Sequence, residues 1–217
     1  MNLEGKKVIF FGDSITSGSA ATEPCKIFHQ VIKQDLGLKE ALNYGMGGTR
    51  IAPQVVPNNE VYDQDFNKRV AGLPAEADAV FVFGGTNDYG HGDAPFGKVG
   101  DETTDTFCGA VYSLFTKLID KYGKEKIVVM TPLHRRNDES PLGEGNRVGG
   151  APLKEFVAVI KKEAENFGLK LIDLFNEPML NPNDDELNAK YFADGLHPNN
   201  EGHALLAKII EDKLKTL

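Results

Sequence analysis

The chain has 217 residues, of which 41% are hydrophobic and 26% are charged, as expected for a single folded domain over residues 1–217. Lys and Arg number 24 against 32 Asp and Glu, and the net charge of −8 argues against nucleic acid or an anionic membrane surface as a partner. No run approaches the roughly 20 apolar residues that a membrane span requires. The first residues lack the features of a signal peptide, and Cys25 and Cys108 make no disulfide framework, so we expect a cytoplasmic protein with free thiols.

Short apolar runs alternate with amphipathic segments along the chain. The runs are nearly continuous, which is typical of parallel strands buried on both faces of a sheet. Several amphipathic segments begin at a proline or end at a glycine, as helices commonly do. In chain order, the pattern predicts a strand at 7–11, a helix at 24–36, a weaker strand near 41–44, a strand at 79–83, a helix at about 104–122, a strand at 127–130, a helix at 152–167, a strand at 169–174 and a last helix after Pro198.

Five strands that alternate with helices predict an α/β sandwich with one parallel sheet and right-handed crossovers. Ligands in such folds bind beyond the carboxyl ends of the strands. Four long connections are expected at that edge, at 45–60, 84–103, 131–151 and 175–197. Long loops in a compact domain are usually functional, and these suit either a pocket or a subunit contact in a homo-oligomer.

A polar motif follows the first predicted strand, where residues 12–16 read Gly-Asp-Ser-Ile-Thr. Ser14 is therefore expected at the carboxyl edge of the sheet. A serine hydroxyl is a weak nucleophile unless a base lies within hydrogen-bond reach. The same five residues also suit a turn that caps a helix or binds phosphate, as in a flavodoxin-like phosphate- or flavin-binding module without catalysis. Alone, the motif leaves both interpretations open.

A second polar motif lies just before the last predicted helix. His197 precedes Pro198, which favours extended backbone, so the imidazole is expected to project from a loop. Asp194 is placed to accept the Nδ1–H of His197, which leaves Nε2 free as a base. An isolated Asp and His at this spacing also suit an exposed helix-entry turn. Together with Ser14, the motif favours a catalytic triad.

Two further segments carry candidate donors for an oxyanion. Residues 43–49 (Asn-Tyr-Gly-Met-Gly-Gly-Thr) follow the second strand, and residues 84–88 (Gly-Gly-Thr-Asn-Asp) follow the third. Glycines let backbone N–H groups approach a ligand closely, and Asn87 offers a side-chain amide. We interpret Asp13 and Asp88, which flank the predicted site, as acceptors for backbone N–H groups in turns.

These four blocks together resemble those of the SGNH, or GDSL, hydrolases, a family named for a Ser, a Gly, an Asn and a His in separate blocks. The resemblance extends from Gly12 to the helix after Pro198, and it departs mildly at Ile15, where the family has leucine. It implies a three-layer α/β/α sandwich of flavodoxin-like type with a five-stranded parallel sheet. It also implies a carboxylic ester hydrolase with no metal and no organic cofactor.

The resemblance implies a role for each matching residue. Ser14 would be the nucleophile and first backbone donor of the oxyanion hole, and His197 would be the base, oriented by Asp194. Gly48 would supply the second backbone donor and Asn87 its side-chain amide. Gly45 and Gly47 are also available in the second block, although the spacing from Asn43 favours Gly48.

The candidate substrate contacts lie on the same rim. Tyr89 and His91 follow Asn87, while His134 and Arg135 follow the fourth strand. An aromatic and basic rim suits a sugar, and no segment resembles a broad apolar lid for a long acyl chain. We therefore expect a carbohydrate O-acetyl esterase that acts on a small-molecule or saccharide ester. A lysophospholipase or thioesterase is the enzymatic alternative, and Arg135 equally suits a solvated loop.

Overall fold

The computed structural model describes residues 1–144 and 150–217. Its strands are β1 Lys7–Gly12, β2 Glu40–Gly45, β3 Ala79–Phe83, β4 Ile127–Met130 and β5 Lys170–Ile172. They form one five-stranded sheet in the order β2-β1-β3-β4-β5, and every neighbouring pair is parallel. The predicted parallel α/β sheet is confirmed.

Strand β5 ends two residues earlier than the apolar run predicts. The backbone N–H groups of Leu174 and Phe175 donate to the side chain of Thr131, at 2.8 and 3.0 Å. Because a side-chain oxygen takes these donors, the regular backbone ladder between β4 and β5 stops at Ile172.

The described residues form eight α-helices. These are α1 Ser14–Ser17, α2 Phe28–Asp35, α3 Phe66–Arg69, α4 Thr86–His91, α5 Phe107–Tyr122, α6 Leu153–Phe167, α7 Asp185–Tyr191 and α8 Asn200–Leu214. Helices α2, α5, α6 and α8 lie where the apolar spacing predicts them. The other four have at most seven residues, too few to show a period. Two of these, α4 and α7, lie in segments interpreted above as connections.

Helix boundaries follow from capping. Helix α5 begins at Phe107 rather than near 104, because the Thr106 side chain accepts the N–H of Gly109 at 3.1 Å and so caps the helix there. The predicted helix at 24–36 is divided, since Pro24–Lys26 is a 3₁₀ turn and Ile27 is extended before α2. Helix α6 ends at Gly168 in a left-handed conformation (φ 66°), as expected from the sequence.

Each face of the sheet is buried under helices. On one face, Ile9 and Phe11 of β1 belong to a hydrophobic cluster with residues of α3, α5 and α6, among them Phe156. On the other face, Val8 and Phe10 belong to a second cluster with residues of α2 and α8. Alternate residues of one strand therefore enter opposite layers, which makes the fold a three-layer α/β/α sandwich.

The strand order places three loops side by side. Strands β2 and β3 lie on opposite sides of β1, and Gly12 at the end of β1 is in register with both Gly45 and Phe83. The chain thus adds β2 on one side of β1 and β3 on the other, so the strand order reverses at β1. Open α/β sheets bind ligands at such a position. Within the described ranges, no helix has the length and apolar character needed to span a bilayer.

Candidate active site

Ser14 is placed by a tight junction between β1 and α1. Asp13 caps the short helix by accepting the N–H of Ile15 at 3.0 Å, and Ser14 is the first helical residue, 6% exposed. A Cβ on Gly12 would lie 1.9 Å from the Oγ1 of Thr16 and 2.8 Å from the carbonyl oxygen of Phe83. Only glycine fits there, so the motif holds Ser14 at the carboxyl end of β1.

His197 and Asp194 reach Ser14 from the far end of the chain. The Ser14 hydroxyl lies 2.9 Å from His197 Nε2, although the two residues are 183 positions apart. The other ring nitrogen, Nδ1, lies 2.7 Å from a carboxylate oxygen of Asp194. The structure thus brings the three residues of the predicted triad into one chain of hydrogen bonds.

The loop that carries His197 is held by its own backbone and by a neighbouring loop. The second carboxylate oxygen of Asp194 accepts the N–H groups of Leu196 and His197, at 3.0 and 2.8 Å. Gly195 adopts a positive φ of 82°, and its carbonyl accepts the N–H of Arg136 at 2.8 Å. The imidazole therefore has a defined position before any substrate binds.

The charge on Asp194 sets the proton positions on His197. Partial burial raises the pKa of Asp194, but the hydrogen bonds from the backbone N–H and ring of His197 outweigh burial, and the pKa is below its usual value. Asp194 is thus a carboxylate at neutral pH and accepts from Nδ1. Nε2 is then the acceptor for the Ser14 hydroxyl, which is the arrangement that general-base activation of a serine requires.

Asp13 and Asp88 act as acceptors for backbone N–H groups, as the sequence predicts. Asp88 accepts the N–H groups of Ile51 and Ala52, both at 2.8 Å, and so fixes the chain that follows the second block. Asp13 is buried, and this burial raises its pKa to about 6 even though the Ile15 N–H lowers it.

The second and third blocks meet beside Ser14. A Cβ on Gly47 would lie 3.8 Å from the Cβ of Ser14, so the loop after β2 passes next to the nucleophile candidate. The Asn87 side-chain amide donates to the carbonyl of Thr49 at 2.9 Å. An amide carries two N–H donors, so one remains for an oxyanion. Asn87 is thereby tied to the glycine loop.

The structure also distinguishes among the three glycines of the second block. The N–H of Gly45 donates to the Asn43 side chain at 2.9 Å, and a Cβ there would meet the backbone of Ser17 at 2.1 Å. Gly45 is therefore a packing residue. Gly48 has a positive φ of 73°, which turns the loop beside Ser14, and its role as a backbone donor stays a prediction.

Arg69 is a residue that the sequence analysis missed. Its guanidinium donates to the carbonyls of Gly12 (3.0 Å) and Tyr44 and to the hydroxyl of Thr49 (2.8 Å). It also lies over the ring of Phe11, at 4.8 Å from the centroid. Burial lowers its pKa to about 10, so the group remains a cation. Arg69 joins the ends of β1 and β2 to the glycine loop. No local sequence motif predicts this role.

Two of the predicted substrate contacts, Tyr89 and Arg135, have buried side chains, and contact of either with substrate stays a prediction. Tyr89 is 1% exposed, and its hydroxyl donates to the carbonyls of Asn137 and Ser140 at 2.7 and 3.0 Å. Arg135 is 7% exposed and donates to the carbonyl of Thr86 (3.2 Å) and to Glu144 (2.8 Å). The two side chains support α4 and the loop after β4. The alternative that Arg135 lies in a solvated loop is wrong, because its side chain is buried.

The two histidines of the predicted rim are half-buried. His134 Nδ1 lies 2.5 Å from Asp138, and its ring packs on Phe175 with centroids 3.9 Å apart. His91 accepts from Arg50 through Nδ1 at 3.0 Å. Contact of either histidine with substrate stays a prediction. Over residues 1–144 and 150–217, no group of three or more His, Cys, Asp or Glu side chains is arranged to hold a metal ion.

A parallel α/β/α sandwich that carries a Ser–His–Asp chain at the carboxyl edge of its sheet is the arrangement of a serine ester hydrolase. The chain belongs to the GDSL-like lipase/acylhydrolase family, whose family model matches residues 10–205, and is therefore a carboxylic ester hydrolase. The resemblance seen in the sequence is confirmed. Among curated proteins, none matches this chain.

Solved structures share the fold over nearly the whole chain. A protein from Lactobacillus plantarum is 27% identical, with a TM-score of 0.83 and 98% of each chain covered. A lipase/acylhydrolase from Enterococcus faecalis is 25% identical, with a TM-score of 0.66 and coverage of 97% of this chain and 96% of that one. A two-domain esterase active on acetylated mannans is 19% identical, with a TM-score of 0.65 and coverage of 96% of this chain and 48% of that one. This similarity shows a shared fold alone.

Proposed function

We propose that the protein hydrolyses esters of short acyl groups through an acyl-enzyme on Ser14, with O-acetylated carbohydrates as its substrates. The observation that carries the proposal is the hydrogen-bond chain from Ser14 through His197 to Asp194. It forms at the carboxyl end of β1, beside the loop of Gly47 and the Asn87 amide. A candidate nucleophile and a candidate base thus lie within hydrogen-bond reach of each other, beside the loop that carries candidate oxyanion donors, and this supports the proposal.

In the first half of the reaction, His197 Nε2 takes the proton of the Ser14 hydroxyl while Oγ attacks the ester carbonyl. The carbonyl oxygen becomes an oxyanion that accepts from the N–H groups of Ser14 and Gly48 and from the Asn87 amide. The intermediate collapses when the bond to the alcohol oxygen breaks and that oxygen receives the proton from His197. Ser14 is then esterified and the alcohol leaves.

In the second half, water attacks the acyl group on Ser14 and gives its proton to His197. Collapse of this second intermediate returns the proton to Ser14 Oγ and releases the carboxylic acid. Asp194 stays ionised throughout, as its lowered pKa favours, and it stabilises the imidazolium that forms twice in the cycle. The flavodoxin-like binding module is set aside because this chain belongs to a family of acylhydrolases.

The preference for a short acyl group rests on the space around the donor loop. The ring of Tyr62 lies directly on Gly48, where a Cβ would be 2.2 Å from the ring. A bulky group beside the oxyanion donors restricts what binds next to the ester carbonyl. The carbohydrate alcohol is argued from the polar surroundings, in which His91 and His134 remain partly exposed.

A long-chain acylhydrolase, such as a lysophospholipase or thioesterase, is the second candidate. The observation that favours it is the exposure of three apolar side chains on the chain before Tyr62, since Val55, Val56 and Val61 are 63%, 67% and 51% exposed. A contiguous apolar surface is typical of sites that bind lipid or protein. The acyl-length profile separates the two candidates.

The test compares wild type with Ser14→Ala on nitrophenyl acetate, butyrate and octanoate. Ser17→Ala is the matched control, because Ser17 lies in the same helix and donates to the Ser14 carbonyl. We expect hydrolysis to fall by at least 10³-fold in Ser14→Ala and to persist in Ser17→Ala. Equal activity of wild type and Ser14→Ala would remove the serine mechanism.

A second assay tests the carbohydrate substrate by measuring the release of acetate from acetylated oligosaccharides. We expect the highest kcat/KM of wild type for acetyl esters and Ser14-dependent release of acetate from the sugars. If kcat/KM were highest for octanoate and no acetate were released from the sugars, the protein would be a long-chain acylhydrolase and not a carbohydrate esterase.

A further inference from the structure

The ring of Tyr62 covers the glycine loop next to the nucleophile candidate. It lies against Gly48, and the neighbouring Gly47 lies against Ser14. One residue of backbone therefore separates the aromatic ring from the serine. Tyr62 is also 40% exposed, so the ring forms a boundary between the site and solvent.

A cluster of side chains around the buried Arg50 holds this ring in place. The ring of His91 lies 5.5 Å from that of Tyr62, with an angle of 34° between the planes. Arg50 donates to Nδ1 of His91 at 3.0 Å and to Asp63 at 2.5 Å, and it is only 1% exposed. The guanidinium connects α4, which carries His91, to the segment that carries Tyr62.

The chain around Tyr62 is further braced by side-chain acceptors. Asp63 accepts the N–H groups of Asn58 and Asn59, at 2.9 and 3.0 Å. Asn59 in turn accepts the N–H groups of Val61 and Tyr62, at 3.0 and 3.1 Å. These hydrogen bonds hold the backbone before and at Tyr62, so the position of its ring is defined by the surrounding loop.

The stereochemistry of the proposed reaction decides which part of the substrate meets this wall. The tetrahedral carbon carries Ser14 Oγ, the oxyanion, the leaving oxygen and the acyl substituent. The oxyanion faces the donors, and the leaving oxygen must reach His197 to receive its proton. The acyl substituent takes the remaining direction.

The sheet order assigns that direction. The loop of His197 is anchored to Arg136, which follows β4, whereas Tyr62 lies over the loop that follows β2. Strands β2 and β4 lie on opposite sides of β1. The leaving oxygen therefore faces the β4 side of the site, which leaves the β2 side, with the donor loop and the ring, to the oxyanion and the acyl substituent.

We propose that Tyr62, held by His91, is the residue that sets the acyl length by closing the acyl side of the site to groups longer than acetyl or propionyl. This inference rests on the proposed serine mechanism and deepens it. Removing the ring takes away the group that closes the acyl side, so that a longer acyl chain can extend past Gly48.

The experiment measures kcat/KM of wild type and Tyr62→Ala on nitrophenyl acetate, butyrate, hexanoate and octanoate. We expect the octanoate-to-acetate ratio to rise at least tenfold in Tyr62→Ala. Tyr62→Phe keeps the ring, and Glu60→Ala changes another exposed side chain of the same loop, so both should keep the octanoate-to-acetate ratio within twofold of wild type. His91→Ala, which removes the supporting ring, should shift the ratio in the same direction by a smaller factor.

A second series keeps the acetyl group and varies the alcohol, from methyl to nitrophenyl and naphthyl acetates. The relative rates within this series should stay within twofold in Tyr62→Ala, which a change on the alcohol side would not produce. A general loss of folding would lower all rates by one factor and leave the octanoate-to-acetate ratio unchanged. An unchanged acyl ratio, a change confined to the alcohol series, or a wild-type maximum at octanoate would overturn the role of Tyr62. Loss of activity in Ser14→Ala tests the mechanism separately, so a failure of Tyr62 leaves that result standing.

Discussion

Replacing Asp13 with Asn should stabilise the protein, and more so at alkaline pH. Asp13 is 2% exposed, and burial raises its pKa from 3.8 to about 6, against the lowering by the Ile15 N–H and by the charges of His197 and Arg69. A carboxyl whose folded pKa lies above its unfolded pKa opposes folding when it is ionised. The cost is therefore fully present above about pH 6 and disappears as the pH falls through 3.8.

The size of the effect follows from the two pKa values. The rise from 3.8 to about 6 corresponds to about 3 kcal/mol of lost stability at pH 8 and to about half of that at pH 5. Asn has the same shape, carries no charge and is an equally good N-cap. The free energy of unfolding of Asp13→Asn relative to wild type should thus rise by roughly 1 kcal/mol between pH 5 and pH 8.

Urea unfolding of wild type and Asp13→Asn at both pH values measures this difference. Asp184→Asn is the matched control, because Asp184 caps α7 through the N–H groups of Glu186 and Leu187 but is exposed to solvent. The pH-dependent change for Asp13→Asn is compared with the change for Asp184→Asn, which replaces an exposed carboxylate cap. If the gain for Asp13→Asn were equal at pH 5 and pH 8, or larger at pH 5, the argument from burial would be refuted.

Three further changes probe the loops around the site. Asn87→Ala should lower kcat on nitrophenyl acetate by about 10²–10³-fold with little change in KM, and equal kcat values would take Asn87 out of the oxyanion hole. Gly48→Ala places a Cβ 2.2 Å from Tyr62 at a φ of +73° and should cost roughly 1 kcal/mol or more in urea unfolding, whereas Gly72→Ala, which meets nothing within 4 Å, should not. Arg69→Met leaves two carbonyls and a hydroxyl without their donor and should cost roughly 2–3 kcal/mol, while an unchanged unfolding midpoint would contradict its bracing role.

Local sequence was sufficient for the parts of the fold that depend on neighbouring residues. The buried strands β1, β3 and β4 appear as continuous apolar runs, and α6 is framed by Pro152 and Gly168. The Ser14 motif and the Asp194–His197 motif could also be identified from the sequence, since each combines a few residues whose chemistry requires that spacing. Strand ends and the short helices were less predictable, because single side-chain caps such as Thr106 decide them.

By itself, then, the sequence determined the class of fold, the family and the candidates for nucleophile, base and carboxylate. Only the tertiary structure decided which other side chains border the site. Tyr89 and Arg135 were expected on the rim and are buried, whereas Tyr62 and Arg69 carry no local signal and lie beside the glycine loop. The physical reason is that burial and contact depend on strand order and on packing between segments far apart in the chain, while motifs and periodicity report only what neighbouring residues require.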